Sequence, residues 1–305
     1  MRSRWIWGLL VLASACKAEI GGGNFGADGS VDGANVAGDA TAIDAPAPLP
    51  AWGAPRLVPG ASTATPEDDG TLTTDSLEMV FALADPADAG RKHLYYIKRD
   101  TAASTTWSAP LRLSINVNLT TDQTPRFSDD GKTLYFASNR PGTTGGLDIY
   151  QATRATLGST TFNPPTLVAG VNSASADKWC MPCSGNRYLL ISSRAPSTSE
   201  DLYEGTLGGG APTLVAELSS ASGETGAFLS KDCLTAYFAS TRSGTNKIYT
   251  STRASVTSPW SPPTEVADFA ALGGDQEDPW VSDDNRTFLL SSNSAGNKDV
   301  YISTR

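Results

Sequence analysis

Acidic residues recur along this chain at intervals of about 50 residues, each at the head of a stretch that turns apolar: Glu67 to Asp69, Asp122, Asp177, Glu224, and Glu277 with Asp278. Carboxylates gathered around one opening form a negative ring that attracts a cation, an amine or an array of sugar hydroxyls. Two unlike carboxyls about 5 to 9.5 Å apart would instead cleave a glycosidic bond, one acting as acid and the other as nucleophile or base. The same positions have a plainer reading, in which each acid caps its own turn by accepting from backbone N–H groups. Turn chemistry repeats by necessity, so repetition favours capping over a dedicated site.

Other chemistry is sparse. His93 is the only histidine and stands where Asp148, Asp201 and Asp299 stand in three of the four other copies, which leaves serine or cysteine hydrolysis poorly supported. Cys180 and Cys183 spell a CxxC, but no second CxxC or further histidine completes a zinc site. Along a strand three residues span about 10 Å, too far for a disulfide between those two. Cys183 and Cys233 are candidate disulfide partners in an oxidising compartment; the alternative is a set of buried, inert thiols. Arg140 with Asp148, and Arg194 with Asp201, bracket loops as expected ion pairs worth ~0.2–1 kcal/mol if exposed. Asn139 and Asn293 are left free to meet a ligand beside Asp122, Asp177, Glu224 and Glu277.

The elements that position these groups come from an internal repeat. Tyr95, Tyr150, Tyr203, Tyr249 and Tyr301 end five related segments, with an apolar run before each: MVFAL, LYFAS, LLISS, AYFAS and FLLSS. Turn clusters such as Ser128-Asp129-Asp130-Gly131 precede the runs, so each copy reads as antiparallel hairpins. A proline at 110, 165, 212 and 263 marks a fourth strand, and an orphan version, Trp52-Gly53-Ala54-Pro55-Arg56-Leu57-Val58, opens the series. Nothing equivalent follows Tyr301. Writing each copy as strands A to D, the chain runs D, ABCD four times, then ABC. That order closes only as a ring in which the first D strand completes the last blade, leaving neither sheet edge exposed. The expected fold is all-β: a five-bladed β-propeller of four-stranded antiparallel blades over residues 52–305.

Residues 1–16 carry Arg2 and Arg4, an apolar stretch from Trp5 to Ala13, and Ser14-Ala15-Cys16. This reads as a secretion signal, with an apolar core too short to span a membrane stably. Its end is similar to a bacterial lipobox, with Cys16 as the lipidated residue and the protein anchored in the envelope, at the outer membrane facing periplasm or cell surface. Ala13-Ser14-Ala15 also suits ordinary signal peptidase, which would give a secreted protein. Residues 17–51, rich in Gly, Ala, Asp and Pro, read as a tether. A net charge of −9 with no basic patch argues against nucleic acid as a partner.

The segment SDDGKTLYFASNRPGTTGGLDIY, Ser128 to Tyr150, closely resembles the WD40-like (PD40) repeat of bacterial periplasmic propellers, to which the propeller of the Tol system is related. The resemblance covers about residues 65 to 305 and implies an extracytoplasmic binding scaffold without shared catalytic chemistry. The resulting expectation is a monomeric, non-enzymatic envelope lipoprotein that binds a protein or glycan partner, with no cofactor and no metal. A glycoside hydrolase using the carboxylates at the channel mouth is the alternative.

Overall fold

The computed structural model describes residues 49–197 and 199–305. The signal-like segment, Cys16 and residues 17–48 of the expected tether lie outside them. Five four-stranded antiparallel sheets follow one another around an axis, forming the five-bladed propeller. The innermost A strands are Glu67–Leu72, Asp122–Phe127, Asp177–Pro182, Glu224–Leu229 and Gln276–Val281. Each pairs with a B strand and through it with a C strand, while the outermost D strand is only two residues long. Such short outer strands, each with a proline before it, offer little backbone for edge-to-edge association.

Ring closure runs as the order of strands requires. Arg56–Leu57 pairs antiparallel with the C strand of blade five, Arg56 opposite Ile302 and Leu57 opposite Tyr301. Backbone bonds extend the seam on both sides: Gly53 N–H donates to Thr304 at 3.0 Å and Val58 N–H to Val300 at 2.9 Å. Trp52 packs edge-on against Phe288, 5.2 Å between ring centroids, and carries the Arg305 guanidinium on its face at 3.9 Å.

That last contact is one of a repeated kind. Arg99, Arg154 and Arg253, each just past the C strand, lie over Trp107, Phe162 and Trp260, the aromatics that lead into the D strands. In all four blades the arginine Nε also donates to a carbonyl of its own A–B turn, at 2.7 to 2.8 Å. One cation therefore ties a turn to an outer strand, and the planar guanidinium suits both tasks at once. Blade three has Leu207 at this position. Its A–B turn is held instead by the disulfide between Cys183 and Cys233, which links the turns of blades three and four. Cys180 is buried on the A strand as a free thiol, its pKa pushed up by desolvation.

Trp52 is 7% exposed and Leu57, on the same closing segment, 42%. Trp52→Ala should cost about 3–5 kcal/mol in equilibrium unfolding, the range for a buried aromatic. Leu57→Ala should cost under about 1 kcal/mol. Equal losses would mean that the closing segment is held by backbone pairing alone.

Candidate functional site at the channel mouth

Along each A strand the side chains approach the axis in layers. The first layer is Glu67, Asp122, Asp177, Glu224 and Gln276. Asp122, Asp177 and Glu224 are fully buried. Each accepts from the backbone of the loop that precedes its strand: Val117 N–H on Asp122 at 3.1 Å, Ser173 N–H on Asp177 at 2.7 Å, Ser220 N–H on Glu224 at 3.1 Å. Each also binds an arginine of its own B–C hairpin, Arg140 at 2.6 Å, Arg194 at 2.5 Å and Arg242 at 3.0 Å. The hairpin arginines thus reach inward to the A strand, and the expected pairs Arg140–Asp148 and Arg194–Asp201 are replaced. Asp148 accepts from Thr144 of its own hairpin. Asn139 and Asn293 take turn duty as well, accepting from Thr121 N–H and Asp275 N–H at 2.7 and 2.9 Å. His93 lies buried between Asp88 at 2.8 Å and Asp122 at 3.6 Å.

Glu277 is not the fifth member of that layer; Gln276 is. Glu277 belongs to the next layer, with Asp68, Gln123, Lys178 and Thr225, which the reading of the sequence missed apart from Glu277 and Asp68. Opposite each of these, at the head of the C strand, stands Lys298, Lys92, Leu147, Glu200 or Asn246. The pairs within a blade are complementary. Lys92 binds Asp68, Lys298 binds Glu277, and in blade three the charges are exchanged, Lys178 meeting Glu200 at 2.5 Å. Blades two and four are neutral on both sides. Neighbouring blades are joined in the same ring: Asn246 donates to Glu277 at 2.6 Å, and Lys298 stands 4.0 Å from Asp68. Three acids thus meet three lysines. The mouth is a nearly neutral polar rim rather than the negative ring that the acids suggest in sequence. The signal for it lay in comparing two positions of one blade, where acid and lysine swap together.

Below the rim each A strand carries a β-bulge at the same place. The bulge residues are Asp69, Thr124, Trp179, Gly226 and Asp278, all with φ between 50° and 60°. Threonine and tryptophan are unusual in that left-handed region, yet the bend recurs in every blade, so it serves the architecture. Three of the freed backbone N–H groups are satisfied around the ring. Asp69 N–H donates to Asp278 at 3.3 Å, Thr124 N–H to Asp69 at 3.2 Å, and Trp179 N–H to the Thr124 hydroxyl at 3.3 Å. The Trp179 indole crosses to the Asp69 carboxylate at 2.9 Å. At Gly226 the neighbouring strand comes too close for a side chain, since a Cβ there would stand 2.5 Å from the Asp278 nitrogen.

Burial and the adjoining Asp69 carboxylate push Asp278 up to about 6, and burial also raises Asp69 and Asp68. Burial pulls Lys92 and Lys298 down, but the surrounding carboxylates outweigh it and hold both above the ordinary lysine value. Arg126, fully buried below the bulges, supplies a further positive charge near Asp69 and Asp278. Among the described residues no group of three or more His, Cys, Asp or Glu side chains converges as a metal site.

The chain matches no protein-family model and no curated protein. Solved structures do match it in fold. An endo-arabinase from Bacteroides thetaiotaomicron is 13% identical with a TM-score of 0.57, over 82% of this chain and 97% of that one. A GH62 hydrolase in complex with xylotriose is 12% identical with a TM-score of 0.54, over 84% and 96%. A putative TolB from Agrobacterium tumefaciens is 14% identical with a TM-score of 0.50, over 83% and 92%. At these identities the likeness is one of fold. It corrects the expectation that the chain has no enzymatic activity: glycoside hydrolases share this architecture, and the axis of this chain carries carboxyls in unlike surroundings.

Two predictions follow from the bulge ring. Gly226→Ala should destabilise the propeller by several times the cost of Gly90→Ala, since both residues have positive φ but only Gly226 faces neighbouring backbone. Matching unfolding midpoints for the two variants would refute the steric argument. Asp278 binds its proton in the folded state at higher pH than when unfolded, so stability should increase as pH falls from 7.5 toward 5. Asp278→Asn should flatten that dependence and raise the melting temperature at pH 7.5. A wild-type midpoint that declines steadily over the same interval would contradict the assignment.

Proposed function

We propose that this protein is an envelope-tethered propeller that recognises a carbohydrate at the mouth of its channel. The rim of complementary pairs is the observation that carries this reading. Its three lysines and three acids offset one another, so a charged ligand gains little from long-range attraction, whereas a sugar hydroxyl, donor and acceptor together, bridges an ammonium and a carboxylate side by side. The groups are held at the required spacing before any ligand arrives, which lowers the ordering cost of binding. Lys178 and Glu200 remain 14% and 31% exposed, while Asp122 and Asp177 are enclosed. Contact therefore falls to the rim and not to the first layer. Envelope tethering rests on the lipobox-like sequence ending at Cys16.

Hydrolysis of a glycosidic bond at the same mouth is a second reading, supported by a specific pair. Asp68 is enclosed and held above the usual carboxylate range by burial, while the more exposed Glu277 stands across Lys298 from it. Two carboxyls in unlike surroundings suit acid and base roles.

Calorimetric titration with neutral oligosaccharides, xylotriose and arabinotriose, tests both. Binding is expected, weakened about five-fold or more by Lys178→Ala at a temperature where the variant is fully folded. Absence of binding to any neutral saccharide, or affinity indifferent to the rim, would overturn recognition. Release of new reducing ends, abolished by Asp68→Asn, would make the site hydrolytic. Asp122→Ala is unsuitable, since breaking a buried ion pair costs about 3–5 kcal/mol and reports on folding.

A further inference from the structure

The A–B turns surround the far end of the axis, opposite the mouth. Between blades four and five they part over a cavity of about 440 Å³, a volume in the range of small-molecule sites. Its floor is apolar: Phe228, Tyr237 and Val281 are each under a tenth exposed, with the two rings 6.3 Å apart. Tyr237 is placed by the repeat. The same B-strand position holds Val80, Leu189 and Leu289 in blades one, three and five, and a tyrosine only in blades two and four.

The rim of this cavity has more acceptors than donors. Lys231 is already engaged, 3.2 Å from Asp283 and 3.9 Å from Asp129 of blade two. Asp232 lies beside it and adds a second negative charge to the lining. Asn285, on the opposite wall, has its Oδ1 buried without a hydrogen-bond partner. A buried carbonyl oxygen left unpaired is costly, and a ligand N–H would satisfy it.

We propose that this cleft binds a small aromatic cation, a ring carrying a primary ammonium group. The ring would lie on Phe228 and Tyr237, with the ammonium at Asp283 in competition with Lys231 and an N–H reaching Asn285. An anionic ligand of the same shape would meet Asp232 and Asp283 and gain nothing from a lysine already paired. The acids at this cleft single out a cation, whereas the charges at the channel mouth offset one another, so the two serve different chemistries.

Phenethylamine is the probe, titrated calorimetrically into the full chain at low ionic strength, with phenylacetate and methylamine as comparators. Phenethylamine should bind about ten-fold or more tightly than either. Asp283→Asn should weaken it by a similar factor, while Lys231→Ala, which removes the competing cation, should tighten it. Both residues are well exposed, so melting temperatures should stay near wild type, and an excess of xylotriose should not displace the amine. Equal affinity for phenylacetate, indifference to Asp283→Asn, or no phenethylamine binding at millimolar concentration would each overturn the proposal.

Discussion

Five innermost strands converging on one axis cannot all run straight past it, and the relief of that crowding is the constraint on which the rest of the structure depends. Each A strand bends at one bulge, and each bulge residue adopts a left-handed conformation. In blades one, two and three the bend brings a side chain of the neighbouring blade onto the bulge N–H, which supplies a hydrogen bond that the bulge would otherwise lose. Where no side chain fits, the chain has Gly226. The buried carboxyls of Asp69 and Asp278 are a consequence: short acceptors are needed at the axis, and their charge is offset by Arg126 and the two lysines above.

The mouth is built on this ring. Because the bulge turns each A strand in the same way, the residue preceding it faces the head of its own C strand in every blade. Complementary charged pairs then form in blades one, three and five, with acid and lysine exchanged in blade three. Mutual neutralisation decides what such a rim recognises. A single-sign ring would draw ions from a distance, whereas paired charges hold fixed donors and acceptors and favour a ligand that offers both.

The architecture was legible because it depends on periodic features: the five tyrosines, the apolar runs and the orphan segment Trp52 to Val58 that required circular closure. Turn capping by Asp122, Asp177 and Glu224 was legible too, as the plainer of two readings. The partner of each hairpin arginine was not. Sequence distance favours Asp148 for Arg140, but the A strand lies closer in space and offers a buried carboxylate. Register hid the rim: Gln276 holds the first-layer position where the other blades carry an acid, so aligning the acids puts Glu277 one residue out of its layer. The cleft between blades four and five depends on Tyr237 and on the spread of two turns, and nothing in one sequence marks how far turns part.

The most direct test of the account is a crystal structure of the propeller soaked with the neutral oligosaccharide it binds best. Density is expected at the mouth, with sugar hydroxyls bridging lysine and carboxylate of at least one pair, Lys92 with Asp68, Lys298 with Glu277, or Lys178 with Glu200. Saccharide bound elsewhere on the molecule, with the three pairs unchanged, would contradict it.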